Sequence, residues 1–459
     1  MTFILIYCDF CVYFSKIWKI RDERMIIDLT VKNFKSFQSE QVFSLNVEGG
    51  YKHLDTNYSN LEAGKLKVLR SAAIFGPNAS GKSNLMKAFK ALTWMVTDSK
   101  SLDEDANIPT FDPFVLGDSN EGGVTLEVEF IVPSGIRYRY ALTFDAKRVT
   151  SEALYSYPKR HPALVFSREP NDTWETVKFG GSYKGGARRI PFFPNRTYLS
   201  QAGNDPAAPK SIREIVAYFR SFVFIDAGTR IQVTNYFQQS PVHLKTIAEL
   251  VSLADTGVEN ITIEETGSDH IVLPKEMPED LRAAIIAENS VSYKFWQKSQ
   301  SGDLVKFDRS DMSDGTLKLF EQLPLILSAL VNGAPIFVDE IDGHLHTQLV
   351  SLILDLFNDP IANEQNAQII FTTHDTNLLN PNSLRRDQIW FTQKSEGETM
   401  LYNLDEFDKI SVRQDSPYED YYKDGRLGAL PNYSYSKIRS AIGQLPKQRS
   451  IFLSASDYA

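Results

Sequence analysis

The feature that most constrains this 459-residue chain is a glycine-rich octapeptide, Gly76-Pro77-Asn78-Ala79-Ser80-Gly81-Lys82-Ser83, which fits the pattern G-x-x-x-x-G-K-[ST]. It follows a short apolar run from Leu69 to Phe75 and precedes residues spaced like the apolar face of a helix. A strand, a glycine turn and a helix in this order surround phosphate groups with backbone N–H donors and a helix N-terminus. The sequence therefore predicts an α/β domain with a phosphate-binding loop.

Within this loop, Lys82 is expected to reach the β- and γ-phosphates, and Ser83 to offer its hydroxyl to Mg²⁺. The adjoining Asn84 is grouped with the nucleotide-binding residues, and ATP and Mg²⁺ are the expected cofactors. An accidental glycine turn is the alternative. With glycine at about 7% of residues, chance would produce the pattern only about 0.02 times in a chain of this length, so we favour the phosphate loop.

A second motif is the apolar run Pro335-Ile336-Phe337-Val338, which ends in Asp339 and Glu340. In this arrangement the first carboxylate holds Mg²⁺ through water and the second polarises the attacking water. Buried strands often end in acids, so the hexapeptide alone favours a structural interpretation. Together with the phosphate loop, it predicts Asp339 as a metal-binding residue and Glu340 as the catalytic base.

Another apolar run, Gln368 to Phe371, ends in Thr372-Thr373-His374-Asp375. Open α/β sheets bind ligands at the carboxyl ends of their strands, so His374 is predicted to hydrogen-bond the γ-phosphate and to act in catalysis. A lone histidine is more often an ordinary surface or core residue. Its position after the acidic strand favours the catalytic interpretation.

Upstream of the acidic strand, Ser313-Asp314-Gly315-Thr316 opens a helix, with Ser313 as N-cap and Gly315 permitting close backbone approach. In isolation this is a helix cap. In the order phosphate loop, long insertion, serine and glycine, acidic strand and histidine, the chain resembles ABC-type ATPases of the SMC and RecF kind. The resemblance implies a homodimer or higher homo-oligomer in which Ser313, Gly315 and Thr316 cap the partner's nucleotide.

The same resemblance extends to three further places. The stretch Asn33 to Phe37 looks like the first strand of that group, which implies that Lys35 and Ser36 approach the nucleotide. His346 stands where transport ATPases carry an aspartate, which argues against a transporter subunit. Gln201 is the candidate for the lid glutamine that contacts the metal, although an ordinary surface glutamine is an equally good interpretation.

A narrower resemblance is to prokaryotic ATP-binding proteins related to the ATPase half of OLD-family nucleases, which commonly function in phage defence. Four stretches carry it: Thr110 to Leu116, Leu253 to Ile261, Asp339 to His346, and Gly425 to Pro431. A nuclease of that family would add a glutamate and a D-x-D pair, and no D-x-D follows His374. The resemblance therefore implies an ATPase that gates a separate effector protein in anti-phage defence, with a DNA-repair ATPase of the RecF kind as the alternative.

Pattern changes along the chain predict five segments. They are a non-functional extension at 1–24, a first ATPase part at 25–100, a β-rich and helical insertion at 101–300, a second ATPase part at 301–405, and a tail at 406–459. In this tail, five tyrosines would pack in the core or anchor a partner, namely Tyr418, Tyr421, Tyr422, Tyr433 and Tyr435. The regular apolar alternation begins at Met25, and the pair Cys8 and Cys11 before it is best explained by chance spacing.

Charge and cysteine content restrict the partners. With 58 acidic against 49 basic residues, DNA is a possible partner only through a local basic patch such as Lys184 to Arg189 or Arg385-Arg386. Two cysteines and the lack of a long apolar stretch favour a cytoplasmic protein without a membrane partner.

Overall fold

Short strands recur along the chain wherever apolar residues alternate or cluster between turn residues. In this computed structural model they are β1 (Met25–Lys32), β2 (Gln41–Ser44), β3 (Tyr58–Leu61), β4 (Leu66–Leu69), β5 (Ser71–Phe75), β6 (Val124–Ile131), β7 (Arg137–Phe144), β8 (Val149–Ser156), β9 (Ala163–Arg168), β10 (Lys178–Phe179), β11 (Val223–Ile225), β12 (Val258–Glu265), β13 (Val291–Lys298), β14 (Leu304–Asp308), β15 (Ile336–Val338), β16 (Ile369–Thr372), β17 (Ile389–Ser395) and β18 (Glu398–Asn403).

The helices follow segments with an apolar residue every three or four positions. They are α1 (Lys82–Thr97), α2 (Tyr198–Ala202), α3 (Lys210–Arg220), α4 (Pro241–Leu253), α5 (Asp314–Asn332), α6 (Thr347–Asn358), α7 (Tyr418–Lys423) and α8 (Tyr435–Gly443).

The structure describes residues 23–47, 54–117, 122–159, 161–226, 241–254, 256–265, 291–343, 345–430 and 435–443, with a few single positions between 273 and 286. Cys8, Cys11 and nearly all of the predicted extension at 1–24 therefore lie outside the described residues. So do His344, Tyr433 and the end of the predicted tail.

A six-stranded sheet carries the predicted motifs, in the order β11-β15-β16-β5-β17-β18. The strands from β11 to β17 run parallel, and β18 is antiparallel to β17. The strand β16 lies between the phosphate-loop strand β5 and the acidic strand β15. Parallel strands end at the same edge, so the residues after β5, β15 and β16 meet there.

A second, seven-stranded sheet is antiparallel throughout, in the order β10-β9-β8-β7-β6-β1-β2. Its strands come both from the predicted first ATPase part at 25–100 and from the predicted insertion at 101–300. The pairing of β1 with β6 from Met25 opposite Ile131 to Lys32 opposite Thr125 joins the two segments. The sheet thus crosses the division that the sequence pattern placed between residues 100 and 101.

Helix α1 lies between these two sheets. Phe89 packs on Phe43 of the antiparallel sheet, with ring centroids 6.0 Å apart, and on Phe337 of the parallel sheet, at 4.5 Å. The predicted apolar face of this helix, Leu85, Phe89, Leu92 and Met95, is at most 1% exposed. Because both sides of α1 bury apolar surface, its first turn has a fixed place relative to the parallel sheet.

Helices α5 and α6 cover the other face of the parallel sheet, where Phe320, Ile326, Ile353 and Phe357 join its core. The small sheet β12-β13-β14 packs there too, with Phe295 against Phe320 at 5.5 Å between ring centroids. The predicted α/β class with a phosphate-loop ATPase head is confirmed. Among the helices that the structure describes, none is long and apolar enough to cross a membrane.

A buried ion pair ties the seven-stranded sheet to α2. Glu152 is fully buried, and Arg168, 2% exposed, lies with Nε 3.0 Å from a carboxylate oxygen of Glu152. The same carboxylate accepts hydrogen bonds from the Tyr140 hydroxyl and from the N–H groups of Tyr198 and Leu199. Burial raises the pKa of Tyr140 well above its usual range, so its hydroxyl remains a donor.

Replacing Arg168 with Met should destabilise the fold by about 3–5 kcal/mol, because it leaves the buried Glu152 carboxylate without a counter-charge. The measurement is the denaturant concentration at the midpoint of unfolding. The slope of the free energy of unfolding against denaturant concentration should stay unchanged. The matched control is Arg148→Met, since Arg148 and Asp145 form an exposed pair with side chains 52% and 38% accessible. The control should change stability by less than about 1 kcal/mol, and equal losses in both variants would contradict the interpretation.

Candidate nucleotide-binding site

The phosphate loop turns sharply between β5 and α1. Gly76 and Gly81 adopt φ angles of 151° and 115°, and Ala79 is left-handed with φ 61°. Glycine is needed at two of these places because the loop packs tightly on the β17–β18 hairpin. A Cβ atom on Gly76 would lie 2.5 Å from the Thr392 carbonyl oxygen, and one on Gly81 would overlap the Thr399 side chain.

Two threonines of the hairpin hold the loop by hydrogen bonds. The hydroxyls of Thr392 and Ser80 are 2.6 Å apart, and the Thr399 hydroxyl donates to the Ser80 carbonyl at 2.8 Å. Both threonines are fully buried. Sequence reasoning assigned them no role, since threonine on a short strand is common and the contact spans more than 300 residues.

Lys82 points into the loop that it follows. Its ammonium donates to the carbonyls of Gly76 and Pro77 at 2.8 and 3.1 Å, and the residue is 6% exposed. Burial lowers the pKa of Lys82 to about 8, against the opposing effect of three nearby carboxylates, from Asp339, Glu340 and Asp342. A bound phosphate chain would place further negative charge beside this amine and would favour its protonated form.

Asp339 connects the acidic strand to the phosphate loop. One of its carboxylate oxygens accepts hydrogen bonds from the Ser83 hydroxyl at 3.1 Å and from the Thr372 hydroxyl at 2.7 Å. A serine hydroxyl beside a carboxylate is an oxygen donor set of the kind that Mg²⁺ uses at phosphate sites. The residues predicted to bind the metal, Ser83 and Asp339, are therefore brought together and fit that ion.

Glu340 lies one residue further, in a left-handed backbone conformation with φ 55°. Its N–H donates to the Thr372 hydroxyl at 2.7 Å, and its carbonyl accepts from the N–H of Gly343 at 2.9 Å. The side chain is exposed at the edge of the sheet. Thr372 thus positions both acids, a role that the sequence pattern did not indicate.

His374 follows β16 on the same edge, and its N–H donates to the Asp342 carboxylate at 3.1 and 3.3 Å. Partial burial, helped by the nearby Lys82 charge, lowers the pKa of His374. The imidazole is therefore neutral near pH 7, with one nitrogen able to donate a hydrogen bond to a phosphate oxygen. His374 lines a cavity of about 740 Å³ together with Gly76, Pro77 and Asn78.

Residues from the β1–β2 turn flank the start of α1. Asn84 donates to the Ser36 hydroxyl at 2.7 Å. The Thr399 hydroxyl also lies 2.7 Å from the Ser36 hydroxyl. Ser36 is therefore beside the phosphate loop. Lys35 is on the same turn, but its ammonium pairs with Asp112.

The serine–glycine motif lies apart from this cluster. Ser313 caps α5, with its hydroxyl accepting the N–H of Thr316 at 3.2 Å, and it is exposed. Neither Ser313 nor Gly315 lines the cavity beside the phosphate loop. Among the hydrogen bonds of the described residues, none joins Ser313 or Gly315 to the phosphate loop.

Gln201 is not brought to the metal-binding residues either. It lies on α2, where its side chain oxygen is 3.4 Å from an Arg196 guanidinium nitrogen. The neighbouring Thr197 donates to the Met95 carbonyl near the far end of α1, about 20 Å along the helix from Lys82 at 1.5 Å per residue. Gln201 therefore lies near the C-terminal end of α1, whereas Ser83 lies in its first turn.

Two other predictions take a different form in the structure. His346 caps α6, since its Nδ1 accepts the N–H of Gln348 at 3.3 Å. Arg385 and Arg386, one of the two candidate basic patches, are 3% and 5% exposed and pair with Asp387 and Asp405. These two arginines are structural and do not offer a surface to DNA.

The site geometry agrees with a match in sequence. The AAA_21 family, described as "AAA domain, putative AbiEii toxin, Type IV TA system", matches residues 71–216 and 230–380, which is more than half of the chain. The chain belongs to the AAA_21 family. The matched segments of this AAA_21 protein include the phosphate loop, Ser313, the acidic pair and His374. Among curated proteins, none matches the chain.

Several solved structures resemble this AAA_21 protein distantly. The SMC head domain from Thermotoga maritima is 14% identical, with a TM-score of 0.39 over 82% of this chain and 98% of that one. An Smc head domain from Pyrococcus furiosus, bound to the C-terminal domain of ScpA, is 15% identical, with a TM-score of 0.40 over 84% and 98%. The recombination mediator RecF is 12% identical, with a TM-score of 0.35 over 83% and 99%. Because these TM-scores lie below 0.5, the assignment rests on the family match and the site geometry.

The affinity of this AAA_21 protein for nucleotide should fall as the pH rises above about 8. Phosphate binds the protonated Lys82 and stabilises it, so full affinity is present below pH 8 and is lost by up to about tenfold per pH unit above it. The measurement is the Kd for a non-hydrolysable ATP analogue between about pH 7 and about pH 9, one unit either side of this value. Lys82→Arg is the control, because its guanidinium stays charged and its weaker binding should not vary with pH. A wild-type Kd that is constant over this range would contradict the prediction.

Proposed function

We propose that this chain binds and hydrolyses ATP between two copies of itself and thereby gates a separate effector protein, in anti-phage defence. The observation that carries the enzymatic part is the continuous set of hydrogen bonds from Ser83 through Asp339 and Thr372 to Glu340. It joins the loop that would hold the phosphates to the residue that would activate water.

In this proposal the Ser83 hydroxyl and the Asp339 carboxylate would hold Mg²⁺, which supplies positive charge to the phosphate oxygens when bound. Lys82 exchanges its hydrogen bonds to the loop carbonyls for the β- and γ-phosphates. The backbone N–H groups from Asn78 to Ser83 and the N-terminus of α1 bind the phosphate chain. Ser36 and Asn84 lie beside this first turn of α1.

Glu340 is the general base for the attacking water. Its carboxylate is exposed at the sheet edge, where water can reach it. Its backbone is held on both sides by hydrogen bonds, so the position from which the side chain extends is fixed. His374, neutral near pH 7, would donate a hydrogen bond to the γ-phosphate. Both residues belong to the same edge as Lys82.

A second copy of the chain supplies what one copy lacks. Ser313 and Gly315 stand at the exposed N-terminus of the long helix α5, whose first N–H groups favour an anion. In the part of the chain that the structure describes, no hydrogen bond joins them to their own phosphate loop, which supports binding in trans. This motif would therefore cap the partner's nucleotide in a homodimer or a higher homo-oligomer.

Gating of another protein requires a path from the nucleotide to the surface. Tyr422, Lys423 and Leu430, from the predicted tail, line the same cavity as the phosphate loop. Tyr418 and Tyr422 are 1% and 7% exposed and pack in the core, so α7 is fixed to the ATPase head. The family description names a component of a TA system, which supports action together with another polypeptide.

A DNA-repair function of the RecF kind is the second candidate. Lys184, Arg188 and Arg189 are exposed and form the basic patch that supports it. Burial of Arg385 and Arg386 removes the other patch, and the chain is acidic overall. Salt-dependent binding of duplex DNA by the ATP-bound dimer, lost on replacing these three exposed residues, would favour this candidate over effector gating.

Replacing Glu340 with Gln should lower ATP turnover by at least about 10²-fold and trap an ATP-bound dimer, because binding is retained while water is no longer activated. Light scattering after gel filtration with ATP and Mg²⁺ measures the dimer. Adding Ser313→Arg to this variant should return it to monomer by placing a bulky cation at the proposed interface. Lys82→Ala should remove nucleotide binding altogether. A Glu340→Gln variant that stays monomeric at saturating ATP would exclude a nucleotide site formed by two copies of the chain.

Cells that express this chain alone should remain sensitive to phage, whereas cells that also express its genomic neighbours should be protected. The reason is that the ATPase site offers no toxic chemistry of its own. The readout is the efficiency of plaque formation, with Lys82→Ala beside the intact neighbours as the matched control. Protection by the lone chain would contradict gating of a separate effector.

A further inference from the structure

Lys318 connects the helix that carries Ser313 to the loop that carries Glu340. It lies on α5, five residues after Ser313, and is half-buried. Its ammonium donates a hydrogen bond to the Gly343 carbonyl. The N–H of Gly343 in turn donates to the carbonyl of Glu340 at 2.9 Å. Two hydrogen bonds therefore separate α5 from the backbone of the proposed catalytic base.

The space around Gly343 is tight enough to transmit a displacement. A Cβ atom on Gly343 would lie 3.1 Å from the Glu340 carbonyl oxygen, 3.4 Å from the Lys318 ammonium and 3.9 Å from the Glu340 Cβ. The Lys318 ammonium and the Glu340 backbone thus meet at one point. A shift of the Lys318 ammonium by a fraction of an ångström would therefore displace the Glu340 backbone.

The conformation of Glu340 makes such support necessary. A left-handed residue other than glycine persists only where its surroundings hold it, and Glu340 has φ 55°. Thr372 holds the N-terminal side of this turn, through the N–H groups of Glu340 and Ile341 at 2.7 and 3.1 Å. Gly343 and Lys318 hold the other side. Of these anchors, Lys318 comes from α5, the helix whose N-terminus faces outward.

Ser313 and Lys318 both lie before Pro324, the proline inside α5, so this first part of the helix can move as one body. Helix α5 spans 19 residues, and its part after Pro324 is deeply packed, with Ile326 and Ala329 each 1% exposed. Its first turn remains accessible at Ser313. When a ligand engages that first turn, any rotation or sliding of the helix moves Lys318, which is a little over one turn away.

We propose that Lys318 is a positioning residue that makes the orientation of Glu340 depend on what is bound at the N-terminus of α5. This inference rests on the proposed function, in which the ligand at Ser313 is the nucleotide held by the second copy. Each nucleotide site is then formed by two copies of the chain. Binding of nucleotide at one site sets the orientation of Glu340 at the other, so the two sites hydrolyse ATP in a coupled manner.

The test compares Lys318→Met, Lys318→Arg and Lys306→Met in the full chain. Lys306 forms an exposed pair with Glu264 and serves as the control. For Lys318→Met we expect kcat to fall about tenfold, which corresponds to about 1.4 kcal/mol, with the Kd for ATP and the melting temperature unchanged. Lys318→Arg, which keeps a donor in reach of Gly343, should recover most of the loss. Lys306→Met should match the wild type.

Gly343→Ala provides a second variant that leaves the lysine in place, and its added methyl group should also lower kcat without weakening ATP binding. Unchanged kcat in Lys318→Met, or a parallel loss of affinity and thermal stability, would overturn the positioning role. Failure of the wild type itself to hydrolyse ATP would instead refute the proposed function. The two failures are therefore distinguishable.

Discussion

The hydroxyl of Thr372 is the contact on which the arrangement of the site depends. It donates to the carboxylate of Asp339 and accepts the N–H of Glu340, so one side chain fixes the positions of both acidic residues. Its position follows from the strand order, since β16 lies between the phosphate-loop strand and the acidic strand. A polar side chain in that central place, fully buried and fully hydrogen-bonded, stabilises a single geometry at the edge of the sheet.

The layers around the parallel sheet serve the same geometry. Helix α1 is held from both sides by aromatic contacts, which keeps its first turn and the phosphate loop in register with β15 and β16. The β17–β18 hairpin also holds the phosphate loop, through hydrogen bonds from Thr392 and Thr399 to Ser80. The phosphate loop is therefore preorganised by elements that belong to both ends of the chain, and little reordering is needed to receive an anion.

Much of this arrangement follows from short patterns in the sequence. The phosphate loop, the acidic pair and His374 are each adjacent to an apolar strand, and parallel strands bring their carboxyl ends together. What escapes such reasoning are contacts between residues far apart in sequence, such as Thr399 with Ser80, because threonine on a strand has no distinguishing spacing. Gln201 shows the converse: without a neighbouring motif to fix its register, its place at the far end of α1 follows only from the packing of α2. The buried pair of Arg385 and Asp387 likewise depends on tertiary burial, which local charge does not reveal.

The strand order also has a consequence for the synthesis of the chain. β5 is paired on one side with β16 and on the other with β17, so the strand that leads into the phosphate loop has no partner in its sheet until residues 369–395 have been made. Thr399, which holds Ser80, follows later still. The strands of the antiparallel sheet, by contrast, all lie before residue 180, so they can pair long before that point. A ribosome-bound chain would therefore fold its antiparallel sheet first and would acquire the ability to bind nucleotide only when most of its length has emerged. Truncated products released before that stage would lack the contacts that hold the phosphate loop in place.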